Sequence, residues 1–149
     1  MNIYTRLKQD HEKQRDLCED LKKTRSGSQN RADLWDALKV ELEAHAAAEE
    51  QVFYAALMKK PHGTEEARHS IHEHQEMTKL ITELDAMDQT SDIWEKKFKK
   101  LAHDVIHHVD EEEADIFPAA EKLIDAEVAA KMVKDFNTRK PAEVERHSA

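Results

Sequence analysis

Two His-x3-Glu strings, His45 to Glu49 and His108 to Glu112, and two single histidines, His11 and His74, are the residues whose types and spacing could do chemistry. At about 100° per residue in a helix, His45 and Glu49 fall within about 60° of the line through Leu38 and Leu42. Relative to Val105, His108 and Glu112 lie about 60° and about 20° off the core line, whereas His107 and Glu111 point largely outward. His11 and His74 lie on the apolar stripes of Leu7 and Met77. A polar side chain on a core face must be hydrogen-bonded, paired or bound to something. Four imidazoles and two carboxylates satisfy one another's lone pairs best by sharing divalent first-row metals. A structural zinc site is usually closed by four ligands that include Cys, which six candidates with no inward Cys do not match. The residues therefore point to a two-metal centre, with iron ahead of manganese or zinc as the occupant.

The inward residues also repeat. His11 to His74, His45 to His108 and Glu49 to Glu112 are each 63 positions apart, and so are Leu21 and Leu84, Trp35 and Phe98, Leu38 and Leu101, Leu42 and Val105, and Tyr54 and Phe117. Each half of the chain reads as a helical hairpin carrying His, then His-x3-Glu, which is the mark of an internal duplication.

The elements that must carry these residues are helices. With only 2 Gly and 3 Pro in 149 residues, the chain has too few turn formers for a sandwich or barrel. Breakers fall at Ser26-Gly27-Ser28, Pro61-His62-Gly63 and Gln89-Thr90-Ser91, then at Pro118 and Pro141, and cut the chain into four helix-length pieces with amphipathic apolar spacing. Short links between them predict an all-α fold, an antiparallel up-down-up-down four-helix bundle. If successive helices reverse direction, a rise of about 1.5 Å per residue places His11, His45, His74 and His108 at heights of about 14, 14, 15 and 11 Å, with Glu49 and Glu112 about one turn away. Residues 1–136 are expected to form one domain, with a short helical extension from Ala119 to Phe136. Residues 137–149 read as a loose polar tail.

Several strings resemble the four helices of the hemerythrin-like, or HHE cation-binding, family: "DHEKQRDL" from Asp10, "LEAHAAAEEQVFYAAL" from Leu42, "EHQEMTKLI" from Glu73 and "IHHVDEEEADIFP" from Ile106. The likeness spans about residues 3 to 118. It implies an oxo- or hydroxo-bridged non-haem di-iron site that reacts with dioxygen, peroxide or nitric oxide, in oxidative or nitrosative stress. It also implies that His11, His45, Glu49, His74, His108 and Glu112 are the ligands and that the two glutamates bridge. Oxygen-carrying members place a further His four residues before the third-helix ligand, where this sequence has Ser70, and their fourth helix offers His-x4-Asp instead of His-x3-Glu. The lost histidine leaves either an open coordination position or a place for a carboxylate such as Glu73 or Glu66. An open position suits peroxide disproportionation, nitric oxide capture or redox sensing at least as well as simple oxygen carriage. A di-iron oxidoreductase, a non-catalytic iron or oxygen store or sensor, and a metal-free bundle with mutually bonded His and Glu groups all stay open.

The remaining histidines have blander readings. His69, His72, His103 and His107 lie off the core face as solvated or supporting groups, and Glu111-Glu112-Glu113 reads as a solvated acidic run apart from Glu112. A net charge of −9 disfavours nucleic-acid phosphates and anionic membranes, leaving a diatomic molecule or peroxide as the expected partner. No stretch reads as a secretory signal or a membrane span, and the lone Cys18 sits on an apolar face, so a cytoplasmic location is expected.

Overall fold

The computed structural model describes residues 1–148, which contain helices and no strands. The chain runs through α1 (Ile3–Lys22), then α2 (Gln29–Glu49), which passes through a π-helical segment (Glu50–Tyr54) into the short α3 (Ala55–Met58). It continues through α4 (Thr64–Asp85) and α5 (Asp92–Glu111), and a second π-helical segment (Glu112–Ile116) leads into α6 (Phe117–Glu121). A last long helix, α7 (Ala126–His147), completes the fold. The all-helical expectation is met.

Local chemistry explains where the helices start. Ser28 and Ser91, 63 positions apart, have extended backbones, and their side-chain oxygens accept from the amides of Arg31 and Trp94, each at 3.1 Å. Both are N-caps of the kind that costs roughly 1 kcal/mol to remove. Gly27 supplies the positive φ of 73° that the turn before α2 requires. Arg31 ties this end of the bundle together, since its guanidinium donates to the carbonyls of Thr24 and Gln89 and pairs with Glu95 at 3.1 Å.

The core is layered along the helix axes. One apolar cluster gathers Ile3, Leu7, Phe53, Leu57, Ile116, Phe117 and Phe136, and the other gathers Cys18, Leu21, Trp35, Leu38, Ile81, Trp94 and Phe98. His11, His45, Glu49, His74, His108 and Glu112 belong to neither cluster, yet all are buried. Cys18 is a packing residue, its thiol pushed up to about 12 by burial.

The C-terminal part departs from expectation. In place of a short extension and a loose polar tail from 137, one helix of 22 residues covers Ala126–His147 and packs against α1 and α2. Pro141 lies inside it, where its missing N–H costs a hydrogen bond. The buried neighbours Lys140 and Glu143 hold that turn in place, through Asp10 and Glu41 for Lys140 and through Gln51 for Glu143. Polar residues here are anchors, which a hydropathy reading takes for solvated tail. Pro118 likewise does not stop the helical path, because at the first turn of α6 its absent N–H is not needed.

Phe136 is the apolar anchor of α7: fully buried, it packs 5.9 Å from the His45 ring and carries the Arg6 guanidinium 4.8 Å above its own. Phe136→Ala is expected to cost about 3 kcal/mol or more. Urea unfolding followed by circular dichroism checks this, and a midpoint equal to wild type would show that α7 contributes little to the fold.

Candidate metal centre

The four histidines arrive at one layer as the helix-rise argument expects. The rings of His11 and His45 are 5.4 Å apart and those of His74 and His108 are 4.8 Å apart. His11, His45, Glu49 and Glu112 form one set whose ligand atoms all lie within 4.8 Å of one another, and Glu49, His74, His108 and Glu112 form a second. Both carboxylates, Glu49 and Glu112, are common to the two sets, and each set could hold a metal ion.

Each imidazole is oriented from outside. His11 Nδ1 lies 2.6 Å from Glu113, His45 Nδ1 2.8 Å from Asp10, His74 Nδ1 2.8 Å from Glu50 and His108 Nδ1 2.7 Å from Glu73. An ionised carboxylate can only accept, so Nδ1 carries the hydrogen in every case and Nε2 faces inward. These partners also repeat at 63 positions: Asp10 corresponds to Glu73 and Glu50 to Glu113. The same offset that marked the ligands could have found them. Angular position alone hides them, because they sit at the edge of each stripe, and Glu113 in particular reads as part of a solvated acidic run.

The adjacent glutamates divide the work between inner and outer positions where π-helical segments begin, at Glu50 and Glu112. Such segments alter the angular step of a helix and often occur at functional sites. Glu49 and Glu112 turn into the layer while the next residue in each case reaches across to the Nδ1 of a histidine on another helix.

The donor atoms fit cations. His11 Nε2, His45 Nε2, both oxygens of Glu49 and Oε1 of Glu112 are buried without a hydrogen-bond partner. His11 Nε2 nevertheless comes within 2.9 Å of Glu112 Oε1. His74 Nε2 and His108 Nε2 face each other at 3.1 Å. Nitrogen and carboxylate donors gathered this closely in a dry interior are costly unless a proton or a cation lies among them.

Tyr54 is a site residue the sequence did not reveal, because it reads as a core aromatic matched by Phe117. Its hydroxyl is bonded to Ser70 Oγ at 2.9 Å and to Glu112. Burial, with the charges of Glu112 and Glu49, pushes its phenol well up, so Tyr54 is the donor to Glu112. The space opened by Ser70 is thus taken by a phenol from the π-helical segment. Glu73 instead holds His108, and Glu66 Oε2 is buried without a hydrogen-bond partner among the described residues. His69 is exposed and lies 2.5 Å from Glu111, and His107 is also exposed, so both stay outside the inner donor set. His72 and His103 are likewise exposed.

Fold and donor set together define a helical domain built to bind cations. The chain belongs to the hemerythrin HHE cation-binding domain family, whose model matches residues 2–120. A crystal structure of a hemerythrin HHE cation-binding domain-containing protein from Mycobacterium kansasii superposes with a TM-score of 0.87 at 23% identity, covering 98% of this chain and 89% of that one. A curated relative from Nostoc sp. (strain PCC 7120 / SAG 25.82 / UTEX 2576) that bears the name DNA nickase is 26% identical over 140 residues. The match takes in 94% of this chain and spans 39% of that longer protein.

Electrostatics adds a pH dependence. Burial pushes the His45 imidazolium down, but Glu49 and Asp10 outweigh it and raise its pKa to about 10. His74 is likewise lowered by burial and raised, on balance, to about 9 by Glu49 and Glu50. Both imidazoles hold a proton at neutral pH that a metal must displace. Metal uptake at pH 7 is therefore expected to release protons, and affinity to rise with pH up to the range of about 9 to 10. Calorimetry in buffers of different ionisation enthalpy checks this; uptake without proton release would contradict it.

Proposed function

We infer that the chain binds two non-haem iron ions and reacts with dioxygen, peroxide or nitric oxide, in a role tied to oxidative or nitrosative stress. The observation that carries this is the pair of buried four-residue donor sets sharing both Glu49 and Glu112. His11 and His45 would hold one ion, His74 and His108 the other, and the two glutamates would bridge, within the four-helix arrangement formed by α1, α2, α4 and α5. A mixed imidazole and carboxylate set suits iron better than a thiolate-preferring or purely hard cation. When bound, two such ions supply one-electron redox chemistry and an electrophilic position for a small ligand.

The protein's own groups prepare that position. The outer carboxylates fix all four imidazoles with Nε2 inward. Tyr54 supplies a phenol O–H beside Glu112, and among the described residues it is the only hydroxyl bonded to that carboxylate. A cavity of about 20 Å³ lies against His45, His74 and His108, walled by Leu42, Ala46, Met77, Ile81 and Val105. It has room for one water-sized molecule, and its apolar walls favour a small, weakly polar ligand. The acidic balance of the chain argues against carrying over to it the nicking named for the Nostoc relative, since phosphate backbones are bound through positive charge. Among the described residues no helix is long and apolar enough to cross a membrane.

Protein produced with iron should contain two irons per chain and show an oxo-di-iron absorption band. His45→Ala and His108→Ala should each lower the iron content by half or more while the circular dichroism of the helices persists. Peroxide or nitric oxide should then disappear in molar excess over protein. Wild-type protein that takes up no iron would overturn the two-iron reading, and uptake of only one equivalent of the small molecule would replace turnover with storage or sensing.

A further inference from the structure

The carboxylates behind the four imidazoles are not equivalent. Asp10, which accepts from His45 through Oδ2, has its Oδ1 held by Arg6 Nη1 at 2.7 Å and by Lys140 Nζ at 2.8 Å. Glu113, which accepts from His11, is met by Arg15 Nη1 at 3.2 Å. In the other half, Glu73 accepts from His108 and Glu50 from His74, and among the described residues no Lys or Arg is paired with either. Among the described residues the other partner of Glu73 is the exposed His69 at 3.5 Å. The repeat shows how the difference arose: 63 positions on from Arg6 stands His69, and 63 on from Arg15 stands Thr78. Lys140 comes from α7, outside the repeat altogether. Acidic neighbours share these cations, Glu41 taking the other contact of Lys140 and also meeting Lys13, and Glu12 and Asp110 meeting Arg15. The hydrogen-bonded oxygens of Asp10 and Glu113 nonetheless belong to carboxylates already committed to a cation, and those of Glu50 and Glu73 do not.

Such a difference reaches the inner donors. A carboxylate that shares its charge with a guanidinium or ammonium draws less on the Nδ1–H it accepts, so the Nε2 of that imidazole is a weaker donor. Lys140 and Asp10 are both buried, where screening by water is small. Weaker donors with positive charge behind them favour the lower oxidation state of a bound metal.

We propose that Arg6, Arg15 and Lys140 make the His11–His45 half of the centre the lower-valent half, with Lys140 on α7 acting through Asp10 as a positioning residue. This rests on the two-iron reading above. Given one electron by dithionite, the di-ferric protein places it on the iron held by His11 and His45, which becomes ferrous. The iron held by His74 and His108 stays ferric, and no covalent bond of the protein forms or breaks.

The test is a redox titration of full-length, iron-loaded protein, with iron content measured first and Mössbauer spectra recorded across it. Wild type should show two one-electron midpoints and, between them, separate ferrous and ferric signals. Lys140→Met should lower the upper midpoint and reduce the comproportionation constant by about tenfold, or about 59 mV for a one-electron couple, while Lys140→Arg should retain the wild-type separation. Glu73→Gln should narrow the gap from the opposite side, by raising the lower midpoint, which a merely structural role for Lys140 does not predict. If Lys140→Met loses iron or fails to fold, Arg15→Met in the same titration decides in its place. Full iron content with unmoved midpoints, or equal shifts in Lys140→Met and Lys140→Arg, would overturn the inference alone. Wild-type protein without iron would overturn the two-iron reading and the inference with it.

Discussion

Six buried side chains that offer lone pairs to one another are the constraint on which the rest of this fold depends. Carboxylate and imidazole donors in a dry layer cost several kcal/mol each unless a cation or a proton compensates them. The surrounding structure makes that layer dry and holds it still. Apolar slabs close it above and below, one around Phe53, Phe117 and Phe136, the other around Trp35, Trp94 and Phe98. Stability comes from the slabs, because near-complete burial of large aromatic groups contributes more than any polar pair in the layer. The layer spends part of it.

Holding the donors still is a separate task, and the chain solves it with pairs of adjacent glutamates. Neighbouring residues of a helix point about 100° apart, so of two consecutive residues one turns into the layer and the other reaches round its edge, as His11 and Asp10 do on α1 and His74 and Glu73 do on α4. At the two glutamate pairs π-helical segments begin, at Glu50 and Glu112. Glu49 and Glu112 face the layer while Glu50 and Glu113 cross to the Nδ1 of His74 and His11. The tautomer of each histidine on α1 and α4 is thus set by a residue of the opposite hairpin. Both hairpins must be docked before either donor set is complete.

Much of this was legible in the sequence, for reasons tied to particular residues. The helical class followed from the scarcity of Gly and Pro. The inner six followed from angular position and the 63-residue offset, because a duplicated pattern leaves paired, regular traces. Features without such traces stayed hidden. Lys140 and Glu143 anchor α7 to Asp10, Glu41 and Gln51, but a polar stretch after residue 136 gives no sign that its charges are buried. Tyr54 looked like the counterpart of Phe117, and only its contacts with Ser70 and Glu112 show that the hydroxyl matters more than the ring. The outer carboxylates lay in between, carrying the offset but resembling surface acid.

Duplication and divergence pull this chain in opposite directions. The inner ligands and their outer carboxylates obey the repeat position by position, so two equal halves would hold two equal metals. Divergence is concentrated in what surrounds them. Leu7 and Phe117 wall the layer near His11 where their repeat partners are Ser70 and Tyr54 near His74, and Phe117 stacks on His11 at 5.8 Å. One end of the layer is therefore apolar and backed by cations, and the other carries a phenol and unneutralised carboxylates. Because these differences leave all six inner residues untouched, they change the surroundings of the two donor sets and not the sets themselves. A pair of cations in unequal surroundings can divide the binding of a small molecule and the storage of charge between them, which two equal positions cannot.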